Sequence, residues 1–480
     1  MFDPAGFSEF SYEGYSFDST GETFRAFYSL LGQAGSIEFV ETIRLPNGNQ
    51  GRPAGVPSAR TARLLALASG LSYYKAAAPG TVRVGFGLTD GEHTFLSELI
   101  RNGLGEFAFR NQLPGALTPQ ITGKRLDEVP DEITGAGGGG AAGGGGGGAR
   151  DGGEAGGAVA AAPAAPLVPV GGGKDSVVTI ESLKAAGFDP VLFSVNTFAP
   201  ITRCARVSGQ PLVSAQRSID PTLLEANRQG AHNGHVPVTA VVSLIALMAA
   251  ERLGLGPVVM SNERSAEYGN LSWNGHTINH QWSKSIHFEA LLRSALERSG
   301  GAASGGTGAD AYFSLLRPLS ELEIARRFAG LPAYFEAFTS CNRSFRIDES
   351  KRASSWCREC PKCQFVFLVL APFISSGRLT EIFGGNMLDD PANLDGYLEI
   401  LGLRGHKPFE CVGEYDEALV ALVLLGRDPG WARARLVGPL TDEMHAQGQA
   451  PAPGLDAALL EPLATHFIPQ PFREALDALG

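Results

Sequence analysis

A glycine-rich turn is the pattern in this sequence best suited to bind a phosphate. Residues 171–176 read Gly-Gly-Gly-Lys-Asp-Ser and follow the apolar run Leu167–Val170. The glycines let backbone N–H groups approach an anion closely, and a helix beginning at Ser176 would point its positive end there. Asp175 and Ser176 are also good N-cap residues, so a plain strand-to-helix turn is the alternative. A Walker A loop is excluded, because Asp175 and not Ser or Thr follows Lys174.

Polar residues also follow a second apolar strand directly. The run Ser261–Ala266 comes after Val258–Met260, and in parallel sheets ligands bind at the carboxyl ends of the strands. Here Glu263 is the predicted Mg²⁺ ligand, and Arg264 is predicted to pair with a phosphate or a carboxylate. An internal ion pair between these two side chains is the alternative.

Two further segments carry groups that can move protons. Within Gly275–Ser285 polar and aromatic residues crowd together, and His280 and Lys284 would share one face if the segment were helical. This density favours contact with a substrate over a purely structural histidine. In the segment 405–413, Cys411 lies close in sequence to a histidine, a lysine and a glutamate, and such a cysteine can ionise and exchange protons. A connecting loop with an incidental cysteine is the simpler interpretation of these residues alone.

Four of the six cysteines are spaced as a metal site would require. They are Cys341, Cys357, Cys360 and Cys363, separated by fifteen, two and two residues. Four thiolates can close a tetrahedral Zn²⁺ site with no open position, which would make the site structural and not catalytic. The same ligands can hold an iron–sulfur cluster, and reduced thiols without a metal are the third interpretation.

The elements that position these residues divide the chain into four parts. Residues 1–134 mix strand patterns with a short helix and are predicted to form a smaller α+β domain. Residues 135–166 are almost entirely glycine and alanine and are predicted to be a flexible linker. In 167–413 short apolar strands alternate with helices, which predicts a parallel sheet with helices on both faces. Residues 414–480 are predicted to be helical.

The clearest periodic patterns give individual elements. Strands are predicted at Phe7–Phe17, Thr23–Leu30, Val82–Leu88, Leu167–Val170, Val191–Val195, Leu212–Ala215 and Val258–Met260. Helices are predicted at Thr94–Asn102, Ser176–Ala186, Thr239–Arg252, Tyr415–Leu425 and Pro471–Leu479. A second glycine-rich run, Ser299–Gly308, is predicted to be a surface loop.

Composition narrows the class of protein. With 44% hydrophobic and 19% charged residues, the chain has the composition of a globular protein. Its formal net charge of −11 argues against a nucleic-acid-coating role, which needs clustered Lys and Arg. The longest apolar runs, Val236–Ala250 and Phe365–Ile374, are shorter than the ~20 residues of a membrane-spanning helix. The first residues do not resemble a signal peptide, so a cytoplasmic protein is expected.

The glycine turn resembles the Ser-Gly-Gly-x-Asp-Ser signature of the PP-loop ATP pyrophosphatases, with Gly171 in place of the first serine. The chain as a whole is similar to the MurL family, the UDP-N-acetylmuramoyl-L-alanyl-L-glutamate epimerases. That similarity rests on five motifs in this order: Gly171–Ser176, Ser261–Ala266, Asn279–Glu289, Cys357–Cys363 and Lys407–Gly413. The cysteine cluster beside a PP-loop also resembles the 7-cyano-7-deazaguanine synthases.

The MurL resemblance implies an α/β PP-loop domain of the adenine nucleotide alpha hydrolase type. It also implies inversion of the terminal L-Glu of UDP-MurNAc-L-Ala-L-Glu, with ATP converted to AMP and diphosphate in the presence of Mg²⁺. The nucleotide would be bound by Gly171, Gly172, Gly173, Lys174, Asp175, Ser176 and Arg264, and the metal by Glu263. From the chemistry of their side chains alone, Cys411, His280 and Lys284 are the candidates for proton transfer. An amidating PP-loop enzyme and a non-catalytic nucleotide sensor are the alternatives, and the oligomeric state is not predictable.

Overall fold

The computed structural model describes residues 1–33, 35–47, 54–130, 164–297, 308–345, 350, 352–353 and 355–479. Within these residues the strands are β1 Phe7–Phe17, β2 Thr23–Gly32, β3 Gly35–Arg44, β4 Thr81–Leu88, β5 Gln120–Arg125, β6 Leu167–Pro169, β7 Val191–Val195, β8 Leu212–Ser218, β9 Val258–Met260, β10 Leu271–Trp273, β11 His276–Ile278 and β12 Tyr312–Ser314. The predicted linker 135–166 lies almost wholly outside the described residues, as does most of the predicted loop Ser299–Gly308.

Helices connect and cover these strands. They are α1 Ala59–Tyr74, α2 Asp90–Gly103, α3 Gly105–Asn111, α4 Lys174–Ala185, α5 Ala199–Ser208, α6 Pro221–Gln229, α7 Val238–Leu253, α8 Ile286–Leu296, α9 Glu321–Ala329, α10 Pro361–Leu370, α11 Ser376–Phe383, α12 Leu394–Ile400, α13 Tyr415–Arg427, α14 Val437–Ala446, α15 Leu455–Leu460 and α16 Arg473–Asp477. Among the described residues, no helix has both the length and the apolar character that crossing a membrane would require.

One ten-stranded sheet runs through both halves of the chain, in the order β12-β9-β6-β7-β8-β3-β2-β1-β4-β5. The strands from β12 to β8 are parallel, as predicted for an α/β sheet. β3 pairs antiparallel with β8 and joins this sheet to the strands β2, β1, β4 and β5. The protein is therefore an α/β structure with a large, mostly parallel sheet and a helical C-terminal region.

Two hydrophobic cores cover the two faces of the sheet. Adjacent residues of β6 face opposite cores, because side chains alternate along a strand. Leu167 belongs to the core that includes α1 and α7, and Val168 to the core that includes α4, α9 and α10. The second core extends into α13 and α14, so the C-terminal helices pack directly against the parallel part of the sheet.

The periodic patterns gave most of the elements that surround the site. β1, β2, β4, β6, β7 and β9 lie within two residues of their predicted positions, as do α7 and α13, and β8 extends three residues beyond its predicted end. α1 was missed, because every described residue from Ala59 to Tyr74 except Arg60 is buried. A helix buried on all sides has no polar face, and so it lacks the periodicity by which helices are recognised.

Candidate active site

The glycine turn between β6 and α4 is narrow, and two of its three glycines are required by their surroundings. Gly172 has φ +77°, and a Cβ there would lie 3.0 Å from the backbone of Pro200. A Cβ on Gly173 would lie 2.5 Å from Oγ of Ser340. On the other side, no atom of the described residues comes within 4 Å of the Cβ position of Gly171. The turn is thus packed against Pro200 and Ser340 on one side and is open at Gly171.

Helix α4 begins earlier than the sequence predicts. Its first residue is Lys174 and its N-cap is Gly173, so the predicted start at Ser176 is wrong. Asp175 and Ser176 lie in the first turn, and Oγ of Ser176 donates to the carbonyl oxygen of Gly173 (3.0 Å). Within the described part of the chain, no side chain caps this helix. Its first-turn N–H groups have no acceptor inside the helix and lie at the glycine turn.

Three carboxylates converge beside the glycine turn and form what we name the carboxylate trio. Oxygen atoms of Asp175, Glu263 and Glu321 lie within 4.8 Å of one another. Asp175 is in the first turn of α4, Glu263 follows β9, and Glu321 is the first residue of α9. The ammonium group of Lys174 lies among them and donates to both Asp175 and Glu321. The trio is therefore a buried acidic site that already attracts a cation.

The charges of the trio are unusual because the site is buried. Burial, opposed by the nearby Lys174 ammonium, raises the pKa of Glu321 to about 7. Against the effect of burial, Lys174 and Lys362 lower the pKa of Asp175. Behind the trio, the buried carboxylate of Glu417 accepts from Oγ of Ser265 (2.6 Å) and from the backbone N–H of Glu321 (2.8 Å). Glu417 thus fixes the loop after β9 and the start of α9 relative to α13.

In the structure the side chain of Arg264 binds to the end of α15. Its guanidinium group donates to the carbonyl oxygens of Leu459 and Glu461, each at 3.2 Å. These carbonyls lie at the C-terminal end of α15, so Arg264 attaches that helix to the loop after β9. The guanidinium group of Arg264 thus already has two carbonyl partners.

The segment that carries His280 is not an α-helix, so His280 and Lys284 do not share a helical face. β11 ends at Ile278, and a single 3₁₀ turn, Trp282–Lys284, precedes α8. The backbone N–H of His280 donates to Oδ1 of Asn270 (2.8 Å), and that of Gln281 donates to Oδ1 of Asn279 (2.8 Å). These bonds from side chains to backbone hold the segment in a turn.

His280, Cys411 and Glu106 form a connected group, which we name the thiol–imidazole group. Nδ1 of His280 lies 2.5 Å from Oε2 of Glu106, and the same ring is hydrogen-bonded to the thiol of Cys411. Against the effect of burial, bonds to Cys411 and Glu106 raise the pKa of His280 to about 9. Lys284 and His280 likewise overcome burial and lower the pKa of Cys411 to about 6. At neutral pH the pair is therefore a thiolate and an imidazolium.

A second histidine lies beside this group without sharing its charge. The ring centroid of His235 is 4.4 Å from that of His280, and its Nδ1 is 3.7 Å from Oε2 of Glu106. Burial, together with the charge of His280, lowers the pKa of His235 to about 3. His235 is neutral near pH 7, so of the two histidines only His280 carries a positive charge.

Two lysines connect the thiol–imidazole group to the carboxylate trio. Despite burial, the charges of Cys411 and the trio raise the pKa of Lys284 well above its usual value. Nζ of Lys362 donates to the carbonyl oxygen of Cys411 and lies 4.0 Å from Oε1 of Glu321. The glycine turn, the trio and the thiol therefore lie next to one another, and the structure brings His280, Lys284 and Cys411 together beside them.

The loop that carries Cys411 is held by side chains from the β10–β11 region. Nδ2 of Asn270 donates to the carbonyl oxygens of Pro408 (2.7 Å) and Lys407 (3.3 Å). Nε2 of Gln281 donates to the carbonyl oxygen of Val412 (2.9 Å). The loop before α13 is thus ordered by the same segment that carries His280.

Several residues of the site were missed by sequence reasoning: Glu106, His235, Glu321, Lys362 and Glu417. Only Glu321 had a local signal, because Ser320 and Glu323 form a Ser-x-x-Glu pattern that marks a helix start after an apolar strand. Glu106 lies 174 positions from His280, and nothing in the spacing of the two residues could have joined them.

The four cysteines also come together. All four Sγ atoms lie within 4.8 Å of one another, with 3.7 Å between Cys357 and Cys363 and 3.4 Å between Cys360 and Cys363. Cys341 comes from the segment after the 3₁₀ turn Pro332–Tyr334, and the other three surround the start of α10. The long first gap is therefore compatible with one site.

Comparison with known proteins gives the family. The MurL N-terminal domain matches residues 1–315, and the MurL C-terminal domain matches residues 337–453. No solved structure matches the chain.

Three curated relatives carry the name UDP-N-acetyl-alpha-D-muramoyl-L-alanyl-L-glutamate epimerase. The protein of Salinispora tropica is 44% identical over 98% of this chain and 96% of its own length, and that of a Micromonospora species is 43% identical over 97% of each. The Xanthomonas oryzae protein is 40% identical over 85% of this chain and 84% of its own length. This chain therefore belongs to the MurL family and is an isomerase of the epimerase type.

Proposed function

We propose that this chain inverts the terminal L-Glu of UDP-MurNAc-L-Ala-L-Glu to D-Glu, a step in peptidoglycan precursor synthesis, and splits ATP into AMP and diphosphate to do so. The names of the three relatives support the substrate and the inversion. The observation that carries the proposal is the connection of an acidic site beside a glycine turn to a thiolate–imidazolium pair through Lys284. A nucleotide-linked substrate and ATP also agree with the predicted cytoplasmic location.

The residues at the turn fit a nucleotide phosphate and Mg²⁺. The turn joins a parallel strand to the N-terminus of α4 and is open at Gly171, which is the geometry that favours an anion. Asp175, Glu263 and Glu321 supply the hard oxygen ligands that Mg²⁺ prefers, and their ion pairing with the Lys174 ammonium agrees with an acidic site. A Mg²⁺ ion held there would neutralise charge on the diphosphate. These features support the PP-loop assignment made from the sequence.

The need for ATP follows from the acidity of the glutamate α-proton. A free carboxylate is negatively charged and opposes removal of the proton from the adjacent carbon. In the proposed reaction an oxygen of this carboxylate attacks the α-phosphorus of ATP, diphosphate leaves, and an acyl adenylate forms. The adenylate has lost the negative charge of the carboxylate, and its carbonyl group can delocalise the carbanion. Water then cleaves the adenylate and releases AMP together with the free glutamate carboxylate.

Cys411 is the proposed base, because it is deprotonated at neutral pH. Its thiolate removes the α-proton from L-Glu, and a proton must then reach the opposite face of the carbon. Lys284 and His280 are the two candidates for this donor, since both carry a proton at neutral pH. Glu106 acts through His280 as a positioning residue, because its carboxylate holds the ring and favours the imidazolium. The ammonium of Lys284 is also suited to stabilise negative charge that develops on the acyl oxygen.

The alternatives have less support. An amidating PP-loop enzyme would need ammonia as nucleophile but no proton-transfer pair, and a nucleotide sensor would need no ionised thiol. Purified protein should be incubated with ATP, Mg²⁺ and UDP-MurNAc-L-Ala-L-Glu, followed by chiral analysis of the glutamate. We expect D-Glu and AMP, both dependent on ATP. Formation of ADP, or AMP formation with glutamate that stays L in the native enzyme, would contradict the proposal.

A further inference from the structure

We propose that Cys341, Cys357, Cys360 and Cys363 bind a single Zn²⁺ ion, and that this ion holds together two segments that contact opposite ends of the active site. The inference rests on the geometry of the four thiols and their neighbours, and it does not depend on the reaction proposed above. The four ligands are all thiols, so the coordination shell is complete and no position is left for substrate or water.

The distances between the sulfur atoms match a single tetrahedral ion. A Zn–S bond of about 2.3 Å places two sulfurs of a tetrahedron about 3.8 Å apart. The measured separations are 3.7 Å for Cys357 and Cys363 and 3.4 Å for Cys360 and Cys363, and all four atoms lie within 4.8 Å. An iron–sulfur cluster distributes its four cysteines over two or more irons, so thiolates on different irons stand further apart than the four sulfurs here. The geometry therefore favours one ion over a cluster.

The backbone around the cysteines is shaped to bring the thiols together. Arg358, between Cys357 and Cys360, has φ +63°, a left-handed conformation that turns the chain sharply. Ser344 N–H donates to the carbonyl oxygen of Cys341 (2.9 Å), and its Oγ donates to that of Ser355 (2.8 Å). The Cys341 segment is thus tied to the chain just before Cys357. Since Cys341 and Cys363 are fully buried, the ion would be shielded from solvent on that side.

The segment that ends at Cys341 supports the glycine turn. Cys341 follows Thr339 and Ser340 directly, and the backbone N–H of Thr339 donates to the carbonyl oxygen of Gly172 (2.9 Å). Oγ of Ser340 occupies the space that a side chain on Gly173 would need. A metal bound to Cys341 would therefore fix the wall behind the glycine turn.

The segment at the start of α10 supports the thiol–imidazole group. Cys360 is the N-cap of α10 and Cys363 lies in its first turn, so an ion bound to both fixes the start of that helix. Lys362 lies between them, and its ammonium contacts the carbonyl oxygen of Cys411 and lies 4.0 Å from Glu321. The same ion thus sets the position of a lysine that connects Cys411 to the carboxylate trio.

Metal content tests the site first. The full-length protein, purified without chelators, should contain about one Zn²⁺ per chain by elemental analysis. Substitution with Co²⁺ should give the intense thiolate-to-cobalt charge-transfer band of a tetrahedral sulfur site. The variant Cys360→Ser should lose the metal, whereas the control Cys411→Ser, which removes a thiol outside the cluster, should keep it. Native protein that contains no zinc would overturn the proposal. So would iron accompanied by acid-labile sulfide, or disulfide bonds between these cysteines.

Hydrogen exchange tests the connection to the active site. In zinc-depleted protein, or in Cys360→Ser, exchange should accelerate in peptides that cover residues 338–345 and 360–370. A peptide that covers α1, which packs in the other core, serves as control for global unfolding and should keep its protection. Unchanged exchange in the first two peptides after loss of the metal would refute the connecting role, even if the metal itself were confirmed.

Discussion

Replacing Glu106 by glutamine removes one negative charge from the thiol–imidazole group but leaves an amide oxygen for Nδ1 of His280. Without that charge the imidazolium is less favoured, so the pKa of His280 should fall from about 9. The pKa of Cys411 should rise from about 6, because part of its stabilisation comes from His280. The neighbouring Arg110, whose Nε lies 2.6 Å from Oε1 of Glu106, would lose its partner but stay at the surface.

The expected loss of activity follows from the thiolate fraction. At pH 7 a thiol of pKa about 6 is roughly nine-tenths ionised, whereas an ordinary thiol of pKa about 8.5 is ionised to only about 3%. Complete loss of the shift would therefore reduce the rate of inversion about 30-fold. Lys284 remains in Glu106→Gln and is the largest favourable contribution to the thiolate, so we expect a reduction of about three- to tenfold.

The assay is the initial rate of D-Glu formation between pH 6 and 9, with AMP release measured in the same samples. The acidic limb of the profile reports the thiol that must be deprotonated, and in Glu106→Gln it should move to higher pH. If Lys284 returns the proton, the deficit should shrink as pH rises; if His280 returns it, the alkaline limb should also move to lower pH. The control Glu98→Gln alters a carboxylate 3.6 Å from His287, outside the group, and should behave as the parent. An unchanged rate and profile in Glu106→Gln would refute the reasoning.

Three further substitutions test other parts of the site. Asp175→Asn should abolish AMP formation, whereas the exposed control Asp189→Asn should keep the parent rate. Diphosphate release at near the parent rate in Asp175→Asn would show that the trio does not bind the nucleotide. Gly172→Ala should lower stability by about 1–3 kcal/mol in chemical unfolding and raise the KM for ATP, because φ is +77° and a Cβ would crowd Pro200. Cys411→Ala should still form AMP slowly yet return L-Glu, and inversion at the parent rate would exclude Cys411 as a base.

The sequence predicted the parallel part of the sheet well, because short apolar strands with polar residues at their carboxyl ends are a local pattern. The turn at Gly171–Gly173 and the strand before Glu263 follow from such patterns. In the structure the turn and Glu263 follow the carboxyl ends of β6 and β9, which are neighbouring parallel strands. α1 could not be found in this way, since its burial on all sides removes the periodic signal. The continuity of the sheet through β3 and β8 also has no local signal, because 172 or more positions separate the paired residues.

The candidate site shows the same division between local and long-range information. His280, Lys284 and Cys411 were named from residue type, but their placement in one site depends on loops ordered by Asn270 and Gln281. The shared helical face considered for His280 and Lys284 does not form, because side-chain bonds to the backbone hold that segment in a turn. The direction of Arg264 is decided by the packing of α15, which no short motif encodes.

The central claim is that inversion proceeds through a carbanion at the glutamate α-carbon after activation by ATP. It is tested most directly by running the native reaction in deuterated water and measuring deuterium at that carbon by mass spectrometry, with and without ATP. A proton removed by Cys411 and returned by a second group that exchanges with solvent should give D-Glu that carries one deuterium at the α-carbon, and only when ATP is present. D-Glu formed without deuterium, or formed equally fast without ATP, would contradict the account.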